Sequence, residues 1–395
     1  MNIAILVHSL QDGGMEHVAA QMSEMLSGAG HEVYMIVSGF DRGKAYAHTG
    51  KIVVEPFRFG KMGQSLKREI EMMFYNAFLA AKVKRRYKID VTISFAPEMN
   101  MVNMFSGIRD KKILTIHNCL SESQELGTLY SKRITYKIYN YSYKVVTVSR
   151  WCRKDMIQNY GVKKNKVEVI YNPVRNDGIA GTSLKKENVI LIVGRLQDEK
   201  QQWHIIRAFK LVLAEIQDAK LIIAGKGENR KYLQKLCIDS GISDKVFFKG
   251  FVKEIDKLYQ QAKCVVISSA SESFSCAAVE AMSKGVPVVA ADCPGGIREV
   301  ITGKQGRSSK INQLTIVKGG AITPRLDGIK YGADEPVTEA ECELAKGMIY
   351  FLKNEEKYLE IANNCIEISK LFNEDVIKKK WLKLLGHIYN VELPV

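Results

Sequence analysis

A chain of 395 residues, 46% of them hydrophobic, has the length for two domains and enough apolar side chains for a core in each. Its 30 glycines and 8 prolines are ordinary numbers, which excludes a fibrous or low-complexity chain. The formal net charge is +15, and residues 1–176 carry most of it, 26 Lys and Arg against 15 Asp and Glu.

The chain opens with NIAILVHS, an unbroken apolar run that predicts a buried parallel strand. No basic region followed by a long apolar one precedes it, so no leader peptide is expected, and no run of ~18 apolar residues predicts a spanning helix. GMEHVAAQMSEMLSGAG reads as the next helix and HEVYMIVS as the next strand. Residues 57–88 then hold nine basic and two acidic side chains together with Phe57, Phe59, Met62, Met72, Met73, Phe74 and Phe78. That composition suits a solvated helical face, an anionic membrane surface or a phosphate-bearing substrate. Nucleic acid is not expected, since none of its usual binding modules is visible.

DVTISFA, KILTIHN, KVVTVS and KVEVIYN continue the alternation of short strands with helical stretches, which predicts a doubly wound parallel sheet. Asn172-Pro173 and the polar RNDGIAGTSLKKEN after it mark a domain boundary near residue 175. A second alternating unit follows through NVILIVGRL, LIIAGKG, KVFFKGFV, CVVISS and VPVVAAD. Residues 302–335 break the pattern and read as an inserted loop or small hairpin, and everything beyond reads as helix. Eight cysteines form no CxxC pair, as expected of buried reduced thiols in a cytoplasmic protein, and no metal site is expected.

Four motifs fall at strand ends, where open α/β sheets bind ligands. QDGGMEH places Gly13, Gly14 and Glu16 between the first strand and helix, which suits an anion at a helix start or merely a tight turn. VGRLQDEK places Arg195 and Lys200 where two cations suit a diphosphate, unless both are simply solvated. In SESFSCAAVEAMSKG, Glu272 precedes a helix and Glu280 lies within it. Glu280 suits ribose hydroxyls, and the backbone N–H groups near Ser275, Cys276 and Ala277 suit phosphate; helix capping by Glu272 or Ser273 is the plainer reading. DCPGGIREV offers Gly295 and Gly296 as an exposed turn. His117 closes the strand KILTIH, a position at which a functional histidine is as well supported as a structural one.

In this order, GGMEH, IH, VIYNPV, VGRLQDEK, AGKGE, VFFKGFV, SSASESFSCAAVEAMSKGVPVVA and PGGIREV resemble the retaining glycosyltransferases of family 4. The resemblance runs through most of the chain and is closest in the second half. It implies the GT-B fold, two Rossmann-like domains facing each other across a cleft: an acceptor-binding domain over 1–175, a nucleotide-sugar-binding domain over 176–375, and a C-terminal helix, 376–395, returning to the first. It further implies that Arg195 and Lys200 neutralise the donor diphosphate, Glu280 binds ribose and Glu272 contacts the transferred sugar. Phe274 to Ala277 would line the phosphates, Val252 would edge the base, Gly14 would close onto the phosphates, and His117 would sit beside the sugar.

The implied reaction is metal-independent retaining transfer without a cofactor, and no DxD triplet occurs. A UDP-sugar is the expected donor, and a lipid-diphosphate-linked glycan at the cytosolic membrane face the expected acceptor. Ser275 and Gln201 depart from the family, which often has glycine at both positions. The other readings are a membrane- or polyanion-binding protein with a degenerate fold, and a sugar-nucleotide epimerase.

Overall fold

The computed structural model describes residues 1–11, 13–59, 65–122, 132–175, 186–304 and 309–389. Met62 and most of the expected linker, 176–185, lie outside them. The chain divides into two compact units, Met1–Pro173 with Glu374–Val395, and Val174–Asn373.

Among the described residues the first unit holds seven parallel strands: β1 (Asn2–Leu6), β2 (Glu32–Val37), β3 (Lys51–Val54), β4 (Val91–Ser94), β5 (Lys111–Ile116), β6 (Lys144–Thr147) and β7 (Val167–Val169). Their order is β3-β2-β1-β4-β5-β6-β7, so the direction of winding reverses between β1 and β4. Helices α1 (Gly14–Ser27), α2 (Leu66–Arg86), α3 (Pro97–Phe105), α4 (Lys132–Tyr139) and α5 (Arg150–Gln158) connect them. Ile3, Ala4, Ile5 and Leu6 are fully buried because helices cover both faces of a central strand. The short edge strand β3 was not expected from sequence; its four residues are half-buried or exposed and carry no clear alternation.

The second unit repeats the plan. Strands β8 (Val189–Val193), β9 (Lys220–Ala224), β10 (Val246–Gly250), β11 (Cys264–Ile267), β12 (Val288–Ala291), β13 (Thr315–Val317) and β14 (Gly320–Thr323) lie in the order β10-β9-β8-β11-β12-β14-β13. The winding reverses between β8 and β11, and among the described residues only β13 runs antiparallel to its neighbour. Its helices are α6 (Gln202–Glu215), α7 (Arg230–Asp239), α8 (Asp256–Gln261), α9 (Cys276–Ser283), α10 (Ile297–Thr302), α11 (Glu339–Lys353) and α12 (Glu355–Ser369).

Three sequence expectations change here. Within 302–335 the small hairpin is present as β13 and β14, but it is no mere insertion: β14, GAIT, is a wholly buried strand that also pairs with β12. The turn beyond it is tied to α6, where Trp203 Nε1 donates to Ile329 O at 2.9 Å and Arg207 donates to Gly332 O and Pro336 O. The C-terminal region is not one run of helix but α11, α12 and α13 (Glu374–Tyr389), interrupted at Asn354 and at Lys370–Phe372. The last of these belongs to the first unit and packs against α1. Third, residues 57–88 are not uniformly a solvated face. Phe57, Met73 and Lys84 are buried, and Lys84 Nζ meets Asp110 Oδ2 at 3.0 Å, Asn103 Oδ1 at 2.8 Å and Ser106 Oγ at 2.8 Å. Burial pushes the Lys84 ammonium down to about 8, and Asp110 opposes that shift.

Candidate functional site

In the second unit the site begins where β8 ends. Gly194 N–H donates to Ala224 O at 3.0 Å and Leu196 N–H to Lys226 O at 2.8 Å, binding the loop after β8 to the loop after β9. A Cβ on Gly225 would lie 1.8 Å from Gly194 O, so this contact of backbone on backbone requires glycine. The chain then makes a single 3-10 turn over Asp198–Lys200 and enters α6 through Gln201, whose φ is 48°. Two bonds cross to the loop after β11: Ala270 N–H to Glu199 O at 2.8 Å and Ser268 Oγ to Lys200 O at 2.6 Å. These two loops flank the reversal in strand order, where a doubly wound sheet leaves room for a ligand.

Glu272 is the centre of the arrangement. Its Oε1 accepts from Lys200 Nζ and from Ser269 Oγ, each at 2.7 Å. Its own N–H donates to Pro294 O at 3.0 Å, and its carbonyl accepts from Gly296 N–H at 2.7 Å. Gly295 has φ 128°, and a Cβ there would lie 1.8 Å from Glu272 O. The glycines of DCPGG therefore seat Glu272 by direct backbone contact. Burial alone would depress Lys200, but the Glu272 charge raises it, so the ammonium is retained. Arg195 is exposed and pairs with Glu199 at 2.9 Å. A solvated pair of that kind contributes little and exchanges readily for a better anion.

Beyond Glu272, Ser275 occupies the N-cap of α9 with φ 72° and makes no side-chain cap. Cys276 and Ala277, half-buried, begin the helix. Phe274 is 2% exposed and packs on Phe372 at 5.3 Å, so its ring anchors the loop from the core side and leaves only backbone to face a ligand. Glu280 lies one helical turn on; burial pushes its carboxyl up, and a hydrogen bond from Tyr259 Oη to Oε2 at 2.8 Å works against that. After β10, Val252 is half-buried and Phe251 is 62% exposed beside Lys226.

The first unit has a cluster of its own at the ends of its strands. Gly13 caps α1, and a Cβ there would strike the Glu16 carboxylate, which folds back over it. At Gly14 the space a Cβ would take is open, so nothing within the unit demands glycine. His117 is half-buried and stacks on Phe95 at 5.0 Å, and burial pushes its imidazole down to about 3. Thr115 Oγ1 donates to Ser94 O at 2.8 Å and lies 3.0 Å from His117 Nε2. With its proton so committed, the hydroxyl accepts from Nε2–H and leaves Nδ1 as an acceptor. A small pocket lined by Met15, Ala96, Thr115, His117 and Asn118 adjoins it.

Sequence reading missed Tyr259, Ser269, Thr115, and the pair His8–Glu98 at 3.7 Å. SSASES did announce hydroxyls beside Glu272, whereas Tyr259 sits in an ordinary helical stretch. Among the described residues no group of three or more His, Cys, Asp or Glu is placed to hold a metal ion. No described helix is long and apolar enough to cross a membrane.

The model of the group 1 glycosyl transferases matches residues 178–314, and that of glycosyltransferase family 4 matches residues 12–177. An uncharacterized glycosyltransferase of Methanocaldococcus jannaschii is 29% identical over 77% of this chain and 81% of its own length. The Campylobacter jejuni GalNAc-alpha-(1->4)-GalNAc-alpha-(1->3)-diNAcBac-PP-undecaprenol alpha-1,4-N-acetyl-D-galactosaminyltransferase is 26% identical over 99% of each chain. Among solved structures, Anabaena HepE in complex with UDP-glucose matches with a TM-score of 0.75 at 20% identity, over 98% of this chain and 100% of that one.

Proposed function

Because the chain belongs to the family 4, group 1 glycosyltransferases and has their GT-B fold of two Rossmann-like domains, we propose that it moves a sugar from a nucleoside diphosphate, retaining its anomeric configuration, to a lipid-diphosphate-linked glycan. The observation that carries this reading is the knot of three strand-end loops around Glu272 and Lys200, with Glu280 following on α9. Glu272 has a second oxygen for a sugar hydroxyl, Glu280 suits ribose, and Lys200, Arg195 and the start of α9 suit the diphosphate between them. His117 and Gly14 we assign to the sugar and the phosphates. The neutral imidazole offers Nδ1 to a hydroxyl.

In the reaction, the bond from the anomeric carbon to the phosphate oxygen breaks and a bond to the acceptor oxygen forms on the same face. The acceptor's proton passes to the leaving phosphate. Protein groups position the reactants and stabilise the charge on the departing diphosphate, a role for fixed cations and backbone N–H groups in place of a metal ion. UDP as the nucleotide is supported by the UDP-glucose complex of HepE, and an N-acetylhexosamine by the Campylobacter relative. That relative's undecaprenol diphosphate acceptor supports a membrane-linked substrate and a place in bacterial glycoconjugate or surface polysaccharide synthesis.

A surface of the first unit supports the membrane part. Phe74, Phe78 and Phe105 are 53%, 64% and 38% exposed, and Phe74 meets Phe105 edge-on at 5.5 Å. Lys67, Arg68, Lys82, Arg85 and Arg86 stand exposed on the same helix, a combination suited to anionic lipid. The test is transfer of label from radiolabelled UDP-hexoses and UDP-N-acetylhexosamines into bacterial lipid extract. The expected result is labelled lipid from one donor, lost with Lys200→Ala. Label left in the aqueous phase with every donor would end the reading.

A further inference from the structure

We propose that Tyr259 is a positioning residue for the nucleotide, fixing Glu280 so that its Oε1 is the oxygen presented to the ribose hydroxyls. This rests on the assignment of Glu280 to ribose and adds a residue that itself touches no ligand. Tyr259 lies on α8 and is fully buried, with its hydroxyl 2.8 Å from Glu280 Oε2 and 3.4 Å from Ala277 O. The short contact is the strong one, since a phenol donating to a carboxylate makes a charge-assisted bond. The hydrogen bond to the Glu280 carboxylate falls on Oε2, and Oε1 accepts none from the described residues. A glutamate side chain on a helix ordinarily samples several rotamers, and ordering it costs free energy when a ligand arrives. A buried donor on one oxygen removes that freedom beforehand and leaves the other oxygen for the ligand.

The same bond maintains charge. An ionised carboxylate is the stronger acceptor for the two hydroxyls, and the surroundings of Glu280 oppose ionisation. Burial pushes its carboxyl up, and Asp256 on α8 adds to that, whereas the Tyr259 hydroxyl and Lys284, just past the end of α9, work in the other direction. Lys284 is itself paired with Asp256 at 2.8 Å, so its help is shared. Cys276, also on α9, faces Tyr259. Tyr259 is therefore the strongest local support for the anion, and without it Glu280 would take up a proton at higher pH.

Calorimetric titration of the full chain with UDP and with 2′-deoxy-UDP tests this. The wild type is expected to prefer UDP, with affinity falling as pH drops through the Glu280 titration. In Tyr259→Phe, UDP should bind roughly tenfold more weakly, as for loss of one charge-assisted hydrogen bond. The preference over 2′-deoxy-UDP should shrink towards one, and the acid limb should move to higher pH. A purely structural tyrosine would weaken both nucleotides equally and leave the limb in place, which would overturn the proposal. If Tyr259→Phe melts too early for titration, 3-fluorotyrosine at position 259 keeps the ring's shape and makes a stronger donor. The acid limb should then move to lower pH, and an unmoved limb overturns the proposal. Failure of the wild type to bind any nucleoside diphosphate would remove the ribose assignment itself, a result distinct from an insensitive Tyr259→Phe.

Discussion

Ser275 and Gln201 both adopt a left-handed backbone, with φ of 72° and 48°, at positions where glycine is the relaxed choice. Gln201 also buries Oε1 without a partner. Gln201→Gly should therefore stabilise the second unit by about 1 kcal/mol, the left-handed penalty less glycine's extra flexibility, read as a higher urea midpoint. Gly295→Ala should act in the opposite direction. Its methyl would meet Glu272 O, and we expect a loss of roughly 3 kcal/mol with activity abolished, because Glu272 must shift to make room. Gly14→Ala separates fold from ligand: with open space at its Cβ, it should leave the melting temperature unchanged yet weaken donor binding. Part of this was visible in the letters, since two acids eight residues apart imply a ligand; the Pro-Gly-Gly turn reads from sequence as exposed, whereas Gly295 and Gly296 are buried against the Glu272 backbone. Tyr259 was not visible, because a hydroxyl within a helix declares its target only when the neighbouring helix is in place.

Among elements, α2 shows how composition can mislead. Its basic run KVKRR reads as one charged patch, yet helical periodicity turns Lys84 inward while Lys82, Arg85 and Arg86 stay outside. Lys84→Ala should destabilise the first unit by about 3 kcal/mol by leaving Asp110 short of a buried partner, and Lys112, 3.0 Å from Asp110, limits the damage. Reversing Arg85 and Arg86, or replacing Phe74 and Phe78 with Asp, should instead leave the melting temperature alone and abolish sedimentation with anionic liposomes. Binding unaffected by those changes would remove lipid from the account. Strands with continuous apolar runs, such as β1 and β8, were legible from sequence because parallel sheets bury both faces. The edge strand β3 was not, and β14 was legible only as part of a small hairpin, because it opens within a Gly-Gly in a stretch rich in lysine.

At the scale of the molecule, two sheets that share a winding order over five strands come from one alternating pattern written twice, which is why the fold class was readable. The return of α13 to the first unit is a tertiary contact that no local pattern encodes. The asymmetry of charge follows the same division, since the excess of basic residues falls in the half assigned to an anionic, membrane-borne acceptor. The central claim is that the second unit binds a nucleoside diphosphate through Lys200, Glu272 and Glu280. Thermal unfolding of the wild type and of Glu280→Ala across a panel of nucleotides and nucleotide-sugars tests it most directly. A bound nucleotide at about a hundredfold excess over Kd adds roughly 2.7 kcal/mol to stability. The account predicts that UDP or a UDP-sugar raises the wild-type melting temperature and that Glu280→Ala loses the rise; a wild type that no nucleotide shifts would contradict it.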